Sequence, residues 1–292
     1  MEFAFSQEQE ELRREARSFL ETNAEAPLPN LRELGWLGVS VPEERGGGGL
    51  SFVDEAILFE EAGRALYAGP FLTTAVVLPA LPHVDDNAWS VEVDGLVPHL
   101  DAVDRVLRED MTAVPAEGET LETMDETRPL GRLGEQAAQS HEVEGEFEPV
   151  RLRLLAALAL EAVGVAQKAL ELGVEYVSAR EQFGKKIGTY QAVSHPLADT
   201  YVETELARSL AYWAAWCVAE EDERAPVAVT SAKSFCAETA VAACERSIQV
   251  HGGIGFTWEH VLHRYYKRAQ WIDAFGGHAA KQREVVAAAL LD

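Results

Sequence analysis

Three long stretches in the second half of the chain constrain its fold more than anything else in the sequence. Residues 151–179, 196–222 and 226–250 carry broad apolar stripes at helical spacing, with few breakers inside them. Pro196 fits near the first turn of the second stretch, and a proline again opens the third. At 1.5 Å per residue, helices of this size run about 38 Å, and stripes that long must be buried against one another. Shorter helical segments follow at 258–271 and 278–291. The whole predicts an antiparallel four-helix bundle with appended helices over 151–292.

The first part reads differently. Residues 6–22 form an amphipathic helix with Ser6 as N-cap, and Leu12, Ala16, Phe19 and Leu20 share one face. A short helix is expected around Leu31–Leu37, a helix over 51–67, and an apolar one over Phe71–Leu78. Ser51 is an N-cap candidate there, with Asp54 at the capping-box position. GVSVPEERGGGGL is a loop, because four successive glycines hold no regular structure. Between about 82 and 150 the apolar runs shorten to WSVEV, VDRVL and MTAVP, with turn residues between them. This predicts three to five short strands, closed by an exposed linker EQAAQSHEVEGEFEPV. The chain is therefore expected to be mostly α. An N-terminal helical domain covers 1–82, a small β middle region 83–150, and the helical bundle 151–292.

Charge narrows the function classes. The net charge is −24, which argues against nucleic acid as the main partner, since phosphate backbones need clustered Lys and Arg. The charge is also uneven: residues 1–150 hold 32 acids and 10 bases, and residues 151–292 hold 17 acids and 15 bases. An anionic ligand would sooner be met by the second half. No apolar run reaches the roughly 18 residues needed to span a bilayer, and the first residues do not read as a secretory signal. Cys217, Cys236 and Cys244 form no metal-like spacing or disulfide framework, so a reducing cytoplasm is the expected compartment.

Two segments could carry chemistry. REQFGKKIGTYQ, Arg180 to Gln191, lies where one long helix ends and the next begins. Arg180 offers a fixed bidentate cation, suited to phosphate or carboxylate, and Phe183 and Ile187 an apolar bed. By itself the segment reads more readily as an ordinary helix–helix turn with a solvated arginine and two lysines. QVHGGIGFTWE, Gln249 to Glu259, follows a long helix with three glycines in four positions. Backbone N–H groups there could face a ligand, although a glycine cap and connector would look the same. It follows a helix rather than a strand, so a Rossmann fingerprint is excluded. His195, His251, His260, His263 and His278 form no ligand spacing, and no metal site is expected. Trp213 and Trp216 read as core or interface.

Together, the arginine turn, two helices and the Q-x-H-G-G-x-G-F run resemble the C-terminal bundle of the acyl-CoA dehydrogenase family. FSQEQEELRREARSFL and LRELGWLGVSVPEERGGGGLSFVDEAILFEEAGRAL resemble its N-terminal domain. The resemblance implies a flavoenzyme that oxidises the Cα–Cβ bond of an acyl-CoA thioester, a carboxylate removing the α-proton and FAD accepting the β-hydride. It implies that Arg180 contacts the FAD pyrophosphate of a neighbouring subunit, with Gln182 and Phe183 beside it. Ile187 and Gln191 would lie near the adenine end, and Gln249, Gly252 and Gly253 would approach the same FAD.

The chain departs from the family twice. Aligned on KRAQWIDAFGGHAAKQR, Gly276 stands where the catalytic Glu belongs, and the family's alternative base position falls on Leu154. Neither residue can take a proton. Glu161 lies two turns past Leu154, out of position, and Asp273 is the one substitute base that could be proposed. The middle region is also short and lacks the T-E-P-x-x-G-S-D loop that binds flavin and substrate in the family. The expectation is a degenerate subunit of an α2β2 heterotetramer, of the kind described for CoA thioesters of steroid side chains. It would complete the FAD site of a base-bearing homologous partner. The alternatives are a non-catalytic scaffold or regulator, and a homomeric enzyme using Asp273.

Overall fold

The computed structural model describes residues 4–134 and 140–291. It opens with α1 (Gln7–Leu20), α2 (Leu28–Glu33), α3 (Phe52–Ala65) and α4 (Phe71–Val77). Both expected N-caps are present, and each is part of a capping box. Ser6 and Gln9 close α1 reciprocally, and Ser51 and Asp54 close α3. The second helix sits three residues earlier than expected, because Pro29 falls in its first turn, where its missing N–H is harmless.

The middle region is richer in strands than the sequence suggested. A four-stranded sheet has the order β1-β3-β4-β7, and a three-stranded sheet the order β2-β6-β5. In chain order these are β1 (Trp89–Val91), β2 (Val97–Pro98), β3 (Arg105–Leu107), β4 (Thr112–Pro115), β5 (Gly118–Leu121), β6 (Leu130–Leu133) and β7 (His141–Glu142). The seven are two to four residues long, too short to show an alternating pattern, so three to five was an undercount. A small core of Val97, Leu100, Val106 and Val114 holds them together. The expected linker is likewise corrected. His141 pairs with Ala113, and a helix has begun by Phe147; Glu135 to Gln139 lie outside the described residues.

The bundle comprises α5 (Phe147–Ala179), then β8 (Glu181–Gln182) and β9 (Lys185–Lys186), then α6 (Gln191–Ala219), α7 (Ala225–His251), α8 (Leu262–Ala274) and α9 (Ala279–Leu291). The fifth helix starts four residues before the expected 151 and is buried without interruption from Leu154 to Ala166. A helix apolar all round belongs in the centre of a fold. Where α3 crosses it, Cβ atoms cannot be accommodated: one at Gly63 would lie 2.2 Å from the Glu161 carbonyl, and one at Gly164 would lie 2.0 Å from that of Glu60. The sixth helix starts at Gln191, so Pro196 lies inside it rather than at its first turn. Among the described residues no helix is long and apolar enough to cross a membrane.

Candidate functional site

The arginine segment is a hairpin, not a plain turn. Glu181 pairs with Lys186 and Gln182 with Lys185. Phe183 and Gly184, with φ of 53° and 79°, form its two-residue tip, as a turn matching strand twist requires. Phe183 is 92% exposed. Its ring meets Tyr190 edge-on at 6.5 Å, and the Lys185 ammonium sits 4.1 Å over the Tyr190 ring. Arg180 caps α5, its N–H donating to the Tyr176 carbonyl at 2.8 Å, while its own carbonyl accepts from Ile187 N–H at 2.9 Å. Its side chain is exposed and makes no ion pair among the described residues. Gln182 and Gln191 are also exposed, whereas Ile187 packs inward against a cluster of Leu170, Val177 and Leu197.

The glycine run forms a 3-10 turn, Gly252–Phe256, directly after α7. Gly252 has φ 64°, and a Cβ at either Gly252 or Gly253 would meet nothing within 4 Å. Gln249 is exposed on the last turn of α7. The two motifs meet at the same end of the bundle. His251 stacks on Tyr176 with ring centroids 4.2 Å apart and lies 4.4 Å from the ring of His260. Val250 packs on the same apolar cluster as Ile187. Further exposed apolar groups there were not singled out from the sequence. Phe256 is 77% and Trp258 75% exposed, with the Lys267 ammonium 4.4 Å over the Trp258 ring. The signal was present in the GFTWE letters, where aromatic residues follow closely on the glycine run.

Gly276, which the resemblance aligns with a family base, faces α5 beside Leu154, the other position so aligned. Gly276 has φ 71°, and a Cβ there would lie 2.9 Å from Cδ2 of Leu155, the neighbour of Leu154. Leu154 is itself buried in the core. Asp273 turns away to other work: its Oδ2 lies 2.8 Å from His278 Nδ1 and its Oδ1 accepts from Ala279 N–H at 3.1 Å, at the start of α9. Two buried side chains fasten the turn. Gln282 Nε2 donates to the Gly276 carbonyl at 2.7 Å, and Lys233 Nζ to the Asp273 carbonyl at 3.3 Å. Burial lowers the Lys233 ammonium to about 8, against the opposing pull of Asp273.

Glu161 is locked in a buried ion cluster. Arg128 Nη1 and Nη2 donate to its two oxygens at 2.6 Å each, and Arg268 Nη1 donates to Oε1 at 2.6 Å. Arg268 Nε also donates to Asp125 at 2.6 Å. Burial pushes the Asp125 carboxyl up, but Arg268, Thr127 and Arg128 outweigh it and hold it below the usual carboxylate range. Two guanidinium and two carboxylate groups thus balance, with Arg128 over the Trp271 ring at 4.9 Å. The segment between β5 and β6 supplies Asp125 and Arg128, so it is pinned onto the seam between α5 and α8. Cys217, Cys236 and Cys244 are free thiols in the core. Among the described residues no group of three or more His, Cys, Asp or Glu side chains is placed to hold a metal ion.

A helical layer, small sheets and a long helical bundle, with two exposed turns at one end, define a mostly α architecture. The chain belongs to the acyl-CoA dehydrogenase family. The family's N-terminal domain matches residues 6–83 and its C-terminal domain residues 153–291. Acyl-CoA dehydrogenase FadE34 of Mycobacterium tuberculosis is 36% identical over 307 aligned positions, covering 92% of this chain. The chain spans only 43% of the length of that relative. Acyl-CoA dehydrogenase IpdE2 of the same organism is 34% identical, over 81% of this chain and 77% of its own length. Among solved structures, the Tcur3481–Tcur3483 steroid ACAD superposes with a TM-score of 0.83 at 26% identity, covering 97% of each chain.

The family's cofactor, FAD, fits the open end of the bundle and not the seam. At the open end an exposed arginine with no ion pair among the described residues, glycines with free space in front of them and exposed aromatic rings face outward. Such a surface can hold one side of a dinucleotide. At the seam, Leu155, Trp271 and the four paired charges leave those groups committed to one another.

Proposed function

We propose that this chain is the base-lacking subunit of a heteromeric FAD-dependent acyl-CoA dehydrogenase. Its partner is a homologous, base-bearing subunit in an α2β2 assembly, and its substrate the CoA thioester of a steroid side chain. The observation that carries the reading is Gly276 against Leu155, at the place where a base would stand, in a chain whose flavin-type surface is left facing outward. The other two carboxylates considered are engaged, Glu161 with two arginines and Asp273 with the start of α9. The steroid assignment is supported by likeness to the Tcur3481–Tcur3483 steroid ACAD over 97% of the chain.

In this reading Arg180 binds the pyrophosphate of the partner's FAD through its forked donors. Gln249 and the backbone of Gly252 and Gly253 close on the same group, and Phe183, Gln182, Ile187 and Gln191 border it. FAD, when bound, supplies the acceptor for the β-hydride. The α-proton goes to a carboxylate of the partner, and this chain contributes orientation and exclusion of water.

The test is co-purification with a base-bearing homologue. The pair should hold about one flavin per heterodimer and oxidise acyl-CoA, while the lone chain holds none. Arg180→Ala should weaken FAD binding in the complex by about 1.5–3 kcal/mol, the usual worth of a charge-assisted contact. Stoichiometric flavin and activity in the lone chain would overturn the reading.

A further inference from the structure

The two outward-facing turns come from different helices, and their distance must be set by something inside the bundle. The arginine hairpin hangs from the last turn of α5, the glycine turn from the end of α7. One side chain bridges them. His251 is the last residue of α7, immediately before Gly252, and is 5% exposed. Its Nδ1 lies 2.7 Å from the Ser247 carbonyl. A carbonyl can only accept, so Nδ1 carries the proton and the ring is fixed in orientation. One side of the ring stacks on Tyr176, at 4.2 Å and 26° between planes. Tyr176 is the residue whose carbonyl receives the Arg180 N–H. His260 is also in contact, its ring centroid 4.4 Å away, and its Nδ1 accepts from Leu262 N–H at the start of α8.

We propose that His251 is a positioning residue that couples the two flavin-facing turns through its stack on Tyr176 and its contact with His260. The proposal deepens the reading above and rests on it only for the word flavin; the mechanical coupling stands on the stack itself. A ring of fixed orientation sandwiched between α5 and the segment entering α8 holds Arg180 and Gly252 at one spacing before any ligand arrives. A turn already in place loses less conformational freedom on binding. The apolar cluster of Val177, Ile187 and Val250 also lies between the turns, so the test must separate rings from aliphatic packing.

The first measurement uses the chain alone and is independent of flavin. Amide hydrogen exchange should rise in both 180–190 and 252–258 when His251→Ala removes the ring, by at least tenfold in each. His251→Phe, which keeps a stacking ring and loses the Ser247 bond, should restore most of the protection. Val250→Ala should loosen both turns less than His251→Ala. Faster exchange confined to 252–258, or an equal effect from Val250→Ala, would overturn the coupling. If His251→Ala does not fold, the Tyr176→Leu variant, which removes the ring on the other side of the stack, gives the same readout.

The second measurement uses the complex with a base-bearing homologue and reads the FAD dissociation constant. His251→Ala should raise it at least tenfold, with His251→Phe close to the unsubstituted chain. Arg180→Ala serves as the reference. If Arg180→Ala weakens FAD and His251→Ala does not, the positioning role fails while the site reading survives. If exchange rises in both turns but neither variant touches FAD affinity, the coupling survives and the flavin assignment falls.

Discussion

The middle of α5 and the turn just past its end treat charge in opposite ways. Near the middle, Glu161 is 1% exposed and every one of its oxygens is claimed by an arginine within the same chain. Past its last turn, Arg180 is exposed and makes no ion pair among the described residues, beside a ring that is 92% exposed. Buried charge that is paired internally serves the fold, because a lone charge in a core is too costly to keep. Exposed charge next to exposed aromatic surface contributes almost nothing to the fold and is available to something outside it. The difference separates charge spent on the fold from charge left facing outward.

The sharpest way to break that comparison is to unbalance the buried cluster. Glu161→Leu takes from Arg128 the carboxylate it is bonded to and leaves Arg268 with Asp125 as its carboxylate partner. The expected loss is about 3–5 kcal/mol, as for other buried ion pairs deprived of one partner, measured by urea unfolding. A loss below about 1 kcal/mol would mean the cluster is no more structural than a surface pair. Next in size is the α3–α5 crossing. Gly164→Ala drives a methyl to within 2.0 Å of the Glu60 carbonyl, so the helices must move apart. About 1–3 kcal/mol is expected for such overpacking, again by denaturant titration.

Little of the buried cluster could be read from the sequence, and much of the open end could. The caps at Ser6 and Ser51 are local signals, resolved three residues apart, and both were legible. The Arg180 and Gln249 segments were legible because glycines interrupt a strong helical period beside a cation or a run of backbone donors. The ion cluster was not, since Arg268 finds Asp125 across 143 positions and Glu161 across 107. No local pattern encodes such a pairing, and Asp125 sits in a stretch that reads as surface. The hairpin at 181–186 was hidden for another reason: Phe183 occupies a left-handed position that normally announces itself with Asn, Asp or Gly. Pro196 misled as well, because a proline inside a helix looks like one that starts it.

A smaller effect tests the buried cluster through pH. Burial, then the charges of Arg128 and Arg268, hold the His99 imidazole well below its ordinary value, with Asp125 pulling the other way. Above pH about 6.5 both folded and unfolded chains carry it neutral, so its contribution is fully present there. As pH falls below that value the unfolded chain takes up a proton that the folded chain refuses. Stability should then drop by up to about 1.4 kcal/mol per pH unit until the folded-state pKa is reached. His260, lowered by burial and then by His251 and His263, adds a loss of the same sign. His99→Asn tolerates the φ of 54° at that position and should flatten the slope, seen as a smaller change in Tm between pH 7 and pH 5.

The smallest expected effect is the most informative about the open end. Arg180→Ala in the chain alone should change unfolding stability by less than about 0.5 kcal/mol, since the side chain is exposed and surface substitutions of this kind are nearly silent. The backbone bonds that hold the turn, from Arg180 N–H to Tyr176 and from Ile187 N–H to Arg180, do not involve the guanidinium. A residue that costs nothing to remove from the free chain but costs flavin in the complex has its role outside its own fold. A loss of stability comparable to that of Glu161→Leu would place Arg180 among the structural charges and erase the contrast between it and Glu161.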